Sequence, residues 1–239
     1  MEPKYFYRLS SACKEIVKEA ERRSGREIAV IPYNQYHMSI LPQMCARALP
    51  ILDQGNDDAI IAVPQDEIKD GLLDHEVLHI YRNWLVPVPR LYPSQEKHSA
   101  LIFGLENDIE HLAIIPMERE IGIDSSCHWA EDMSFFVQGA TGPLAHVDLQ
   151  RAWMVMQITG VGGEARALCQ TRLEHAAKLA AANELVEKVR RAGSDKLKQC
   201  RAVTRHLGIP FENFHIEIHR VGGTGEKGVL DRQWWMADG

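Results

Sequence analysis

Residues 59–85 contain the feature that most constrains the fold: an apolar run followed by a segment in which histidine recurs after one helical turn. The run AIIAV at 59–63 is bounded by turn residues and by a proline, which predicts a buried strand. The residues after it predict a helix over 66–85 that ends before VPVP. Because His75 and His79 are four residues apart, that helix would present both imidazoles on one face.

The motif HEVLH at 75–79 has the spacing of a zinc-hydrolase helix. Two imidazoles on one face can bind one metal ion, and Glu76 lies about 100° around the helix from His75. Glu76 is therefore placed to exchange protons with a water that the metal activates, as a general base and then a general acid. A helix with two solvated histidines is the alternative. The apolar neighbours Leu72 and Leu78 disfavour it, because buried imidazoles need partners.

A catalytic zinc site needs a third protein ligand and an open position, and the helix predicted over 99–121 offers candidates. Glu106 and Glu110 are one turn apart on the shoulder of its apolar stripe, where carboxylates require partners. One could bind the metal while the other holds a ligand histidine. His111 is a further candidate, although it lies about 100° from Glu110 on the helix. In the alternative interpretation, both glutamates are rim residues paired with lysine or arginine.

HEVLH followed by the helical segment ENDIEH resembles the gluzincin branch of the zincin metallopeptidases, over roughly residues 27–120. The resemblance implies a Zn²⁺ cofactor held by His75, His79 and a glutamate from the downstream helix. In many gluzincins an acidic or amide residue four positions after the ligand glutamate holds the first histidine, which would make Glu106 the ligand. NDIEH also resembles an N-x-x-E-D segment found after HExxH in some bacterial proteins, which makes Glu110 the ligand. We favour Glu110, although His111 stands where that segment has aspartate.

The whole chain is expected to have a helix-rich α+β fold. A small mixed sheet, the HExxH helix and the downstream ligand helix would form a zincin-like metallopeptidase domain over 1–160. A helical C-terminal subdomain with a terminal strand would follow over 161–239. The remaining elements are expected as a helix at 5–24, a strand at 27–33, a short helix at 38–52, an irregular stretch at 123–142 and helices at 143–159, 164–191 and 195–207, with the terminal strand at 213–221.

Composition limits the location and the partners of the protein. The formal charge is −6 without a dominant basic patch, so nucleic acid is not an expected partner. The N-terminus lacks an apolar signal core, and no window is apolar enough to span a membrane. The five cysteines are scattered and form no C-x-x-C pair, which is typical of reduced thiols in a cytoplasmic protein.

These features predict a narrow-specificity intracellular zinc metallopeptidase. Its protein or peptide substrate would lie extended along an edge of the sheet that contains residues 59–63. The C-terminal helices would bind a regulatory partner or a second copy of the chain. Two alternatives stay open: a non-catalytic metal-binding regulatory protein on a zincin scaffold, and a zinc hydrolase of a non-peptide amide. Only the non-catalytic protein could dispense with Glu76.

Overall fold

The computed structural model describes residues 1–32, 49–52, 59–63, 68, 71–86, 88–124 and 126–218. Within them the chain forms two compact units. The first comprises residues 1–88, 117–123 and 218, and the second comprises residues 89–116 and 124–217. The fold is helix-rich α+β, as the sequence predicted. The units alternate along the chain, and the domain boundary expected near residue 160 stays a prediction.

The first unit contains a three-stranded mixed sheet in the order β1-β3-β2. β3 (Ala59–Val63) is the central strand, with β1 (Ala29–Pro32) parallel to it and β2 (Leu49–Leu52) antiparallel. The prediction of a strand at 59–63 is confirmed, and residues 61–63 are buried. The prediction of a helix over 38–52 is wrong for residues 49–52, which pair with β3. Residues 38–48 lie outside the described part of the chain.

The described part of the first unit also contains the helices α1 (Pro3–Phe6), α2 (Ser11–Ser24) and α3 (Leu72–Ile80). The helix expected over 5–24 is interrupted where Ser10 caps α2 by accepting a hydrogen bond from the Cys13 amide. Gly25 ends α2 with a positive φ of 69°. α3 carries the HExxH motif as predicted, and a π-helical turn extends it over Tyr81–Leu85.

The second unit is a helical bundle with a two-stranded sheet. Its helices are α4 (Ser99–Glu120), α5 (Ser126–Gly139), α6 (Ala145–Thr159), α7 (Ala165–His175), α8 (Leu179–Ala192) and α9 (Lys196–His206), and its strands are β4 (Pro89–Pro93) and β5 (Phe214–Ile218). The last turn of α4 belongs to the first unit. α6 is central, because residues 152–156 are buried all around the helix and α5, α7 and α8 pack against it.

Two predictions for this unit are wrong. Residues 126–139 form α5 instead of an irregular stretch, and Trp129, Met133 and Val137 bury one face at four-residue spacing. The single helix expected over 164–191 is two helices, because the chain turns at Ala177 with a φ of 52°. None of the helices in the described part of the chain has the length and apolar character needed to cross a bilayer.

Candidate metal centre

The first turn of helix α3 is held in place by contacts with the start of α2. Gly71 precedes α3 with a φ of 81°, a conformation that glycine adopts without steric cost. The carboxylate of Asp74 accepts a hydrogen bond from the Ser10 amide at 2.8 Å, and the Cys13 thiol donates to the Asp74 carbonyl at 3.7 Å. These contacts join α3 to the start of α2. All nine residues of α3 are buried, so its histidines are not solvated.

His75 and His79 turn the same ring nitrogen towards each other. Their Nε2 atoms are 3.2 Å apart, and the ring planes are nearly perpendicular at 83°. Two imidazoles on one tetrahedral zinc, with Zn–N bonds of about 2.0 to 2.1 Å, would have nitrogens about 3.3 Å apart. The observed separation therefore matches two ligands of one ion.

Glu118, in the last turn of α4, holds the other ring nitrogen of His75. Its Oε1 is 2.7 Å from Nδ1, and Glu118 is fully buried. A carboxylate in this position keeps the proton on Nδ1 and leaves Nε2 as the lone-pair donor for a metal. Glu118 is not among the site residues that the sequence predicted. It is one of several acidic residues near that end of the helix, and no local pattern distinguishes it.

His111 stands seven residues before Glu118 on α4. Seven residues are close to two helical turns, so the two side chains share one face of the helix. The ring of His111 is buried, meets Trp129 edge to face, and has Nδ1 3.4 Å from the Asn107 amide nitrogen. One potential ligand atom from each of His75, His79 and His111 lies within 4.8 Å of the others. The three histidines are therefore close enough to bind one metal ion.

The predicted catalytic residue, Glu76, is buried beside this group. Its Oε1 is 4.0 Å from Nε2 of His75, the nitrogen that faces His79. The carboxylate thus lies near the space to which the two imidazoles point, as expected of a group that contacts a water there and does not bind the metal. Its catalytic role stays a prediction.

The two glutamates predicted as third-ligand candidates contact a lysine instead. Lys196, at the start of α9, is buried and donates to Oε1 of Glu106 at 2.5 Å and to Oε2 of Glu110. Glu106 also accepts from Arg90 at 3.1 Å and from the Leu91 amide at 2.8 Å. Among the described residues, the group that could hold a metal includes neither glutamate. That Glu106 or Glu110 binds the metal stays a prediction. The structure adds His111 as an alternative third ligand.

The described cysteines offer no competing site. Cys13, Cys169 and Cys200 are free and buried. Burial raises the pKa of each thiol, that of Cys169 to about 12. These thiols are therefore protonated at neutral pH, whereas a nucleophile or a metal ligand requires the thiolate.

Comparison of the chain with models of protein families, with curated proteins and with solved structures finds no match. Three imidazoles are a donor set suited to a borderline-soft divalent cation such as Zn²⁺, and a tetrahedral ion held by three side chains keeps one position open. The three histidines thus fit a zinc ion.

Proposed function

We propose that this protein is a zinc-dependent metallopeptidase that holds the ion through His75, His79 and His111. The observation that carries the proposal is the pair of Nε2 atoms 3.2 Å apart, with Glu118 on the opposite nitrogen of His75. At this distance the two rings can share either one proton or one metal ion, and the separation suits two ligands of a tetrahedral zinc. The carboxylate behind His75 fixes the ring orientation and the tautomer of that ligand.

When bound, a zinc ion in such a site lowers the pKa of a coordinated water to about 7 and polarises the substrate carbonyl. Glu76 would accept a proton from the attacking water through its carboxylate and deliver it to the leaving amine. Its burial, with 3% of the residue exposed, keeps bulk water away from that transfer. His75, His79 and His111 would hold the ion, and Glu118 would keep His75 in the tautomer that binds it.

The proposed substrate is an extended peptide that adds to the sheet of the first unit. Both sides of β3 are taken by β1 and β2, so a peptide strand would add to one of these outer strands. Strand addition satisfies the backbone of the substrate and leaves sequence selection to side-chain pockets. The zincin-like character of the fold, the narrow specificity and the cytoplasmic location belong to this proposal.

The test compares the wild type with Glu76→Gln on a library of peptides derived from cell extract, with cleavage read by mass spectrometry. We expect cleavage by the zinc-loaded wild type and a loss of about 10²- to 10⁴-fold in Glu76→Gln, which should retain its zinc. Glu120→Gln, at the exposed end of α4, is the matched control and should cleave like the wild type.

Equal cleavage by the wild type and Glu76→Gln would refute the assigned mechanism. If both bind zinc and neither cleaves any peptide, the non-catalytic metal-binding protein becomes the better account. Cleavage confined to small amides other than peptides would identify the non-peptide hydrolase.

A further inference from the structure

Asn83 is a buried polar residue, and no hydrogen bond among the described residues explains why its side chain is an amide. It is 1% exposed, and neither Oδ1 nor Nδ2 has a hydrogen-bond partner among the described residues. A buried amide without partners costs about 1 to 3 kcal/mol for each polar group. Native proteins contain few such groups, and an isosteric leucine would remove the cost. A ligand or a second state of the site is the simplest reason for an asparagine here.

The position of Asn83 relative to the metal centre follows from helix geometry. It comes four residues after His79, within the π-helical turn Tyr81–Leu85, where the Val86 amide donates to the Tyr81 carbonyl. Four residues overshoot one α-helical turn by about 40°, and the wider π turn reduces this difference. Side chains tilt towards the N-terminus of a helix, so helix geometry puts Asn83 on the side of the helix that carries His79.

His75 shows what such a neighbour does, because its Nδ1 lies 2.7 Å from the Glu118 carboxylate. The neighbour of His111 differs, because the atom 3.4 Å from its Nδ1 is the amide nitrogen of Asn107, which donates. For His79, Nε2 faces His75, so Nδ1 is the nitrogen that remains for a supporting residue.

We infer that Asn83 is the positioning residue for His79 in the metal-bound protein. Its Oδ1 accepts the Nδ1–H of His79, which leaves Nε2 deprotonated and directed at the ion. The inference rests on the proposed metal site and adds a residue to it. Asn83 acts through His79 and does not contact the substrate.

The experiment measures zinc affinity by competition with a chromophoric chelator for the wild type, Asn83→Leu and Asn83→Asp. We expect Asn83→Leu to bind zinc about 10- to 100-fold more weakly, the usual cost of losing a residue that supports a ligand histidine. Asn83→Asp restores an acceptor oxygen and should bind at least as tightly as the wild type. Urea unfolding of the metal-free proteins should show Asn83→Leu as stable as the wild type or more stable.

A second readout follows the hydrogen bond directly. Proton–nitrogen NMR of the zinc-loaded wild type should show a slowly exchanging Nδ1–H for His79, and the aspartate variant should keep it. Because this measurement uses the wild type and the aspartate variant, it tests the inference even if Asn83→Leu does not fold.

Three outcomes decide the inference. Weaker zinc binding by Asn83→Leu without loss of metal-free stability supports it. Unchanged zinc affinity in Asn83→Leu, or a His79 Nδ1–H that exchanges with bulk water in the wild type, overturns it and leaves the zinc site standing. Absence of zinc binding by the wild type overturns this inference and the proposed function together.

Discussion

Replacement of Glu118 by glutamine tests whether the Glu118 carboxylate supports the metal ligand His75. The substitution changes the shape of the side chain very little. The variant keeps an oxygen that can accept from Nδ1 of His75 at the observed 2.7 Å, but it removes the buried negative charge. Loss of such a partner weakens metal affinity by about 10- to 100-fold, which corresponds to about 1.4 to 2.8 kcal/mol.

The effect can be expressed as stabilisation by zinc. At a free zinc concentration 100 times the wild-type Kd, binding stabilises the folded wild type by about 2.7 kcal/mol. At the same concentration a 10-fold weaker variant gains about 1.4 kcal/mol, and a 100-fold weaker variant gains about 0.4 kcal/mol. Urea unfolding with and without zinc measures this difference for each protein, so any change in the metal-free stability of Glu118→Gln is subtracted.

The control is Glu120→Gln, two residues further along and exposed. It should gain as much stability from zinc as the wild type. If Glu118→Gln also gained the full wild-type stabilisation, the carboxylate would not support a metal ligand, and the role assigned to it would be refuted.

Three further predictions concern the second unit. Lys196→Met should lower the free energy of unfolding by about 3 to 5 kcal/mol in urea titrations, because it leaves the buried α4 carboxylates without their shared cation. Gly104→Ala should destabilise by about 1 to 3 kcal/mol in the same assay, because its Cβ would overlap the guanidinium of Arg151, which ion pairs with two carboxylates hold in place. Burial, with a contribution from nearby Lys188, lowers the pKa of His206 below its usual 6.5, so the unfolded chain binds more protons near that pH. Between about pH 7.5 and about pH 5 the wild type should therefore lose more stability than His206→Gln.

Matched variants separate these effects from nonspecific damage. Lys198→Met changes an exposed lysine two positions away and should stay within about 0.5 kcal/mol of the wild type. Gly139→Ala adds a methyl group at the end of α5 where no atom lies within 4 Å, so no clash is expected. A Lys196→Met protein as stable as Lys198→Met, or a Gly104→Ala protein as stable as Gly139→Ala, would contradict the packing described here. Parallel pH dependence of the wild type and His206→Gln would contradict the lowered pKa.

The elements with a strong local signal were predictable from the sequence. β3 is a short β-branched run between turn residues, and α3 and α4 have helical periodicity with clear ends. The prediction failed at α5, although Trp129, Met133 and Val137 carried the four-residue spacing that identifies a helix. The turn at Ala177 had no such signal, because neither glycine nor proline marks it and tertiary packing decides its backbone conformation.

The candidate site was predictable only in part, because its parts meet through tertiary structure. His75, His79 and Glu76 follow from the phase of one helix. The sequence also indicated that Glu106 and Glu110 needed partners, and the structure supplies Lys196 from far along the chain. A helical wheel gives the angle between residues of α4 but not the direction that the helix faces. It therefore could not decide between Glu110 and His111 or reveal Glu118.

The central claim is most directly tested by the metal content of the purified protein, measured by elemental mass spectrometry after zinc loading and desalting. We expect about one zinc per chain in the wild type and its loss in His79→Ala and His111→Ala. Glu106→Gln and Glu110→Gln should keep the metal, as should His146→Ala, a histidine on α6 outside the ligand group. A wild type without stoichiometric zinc would contradict the account. Loss of the metal in Glu110→Gln with retention in His111→Ala would restore the glutamate as the third ligand.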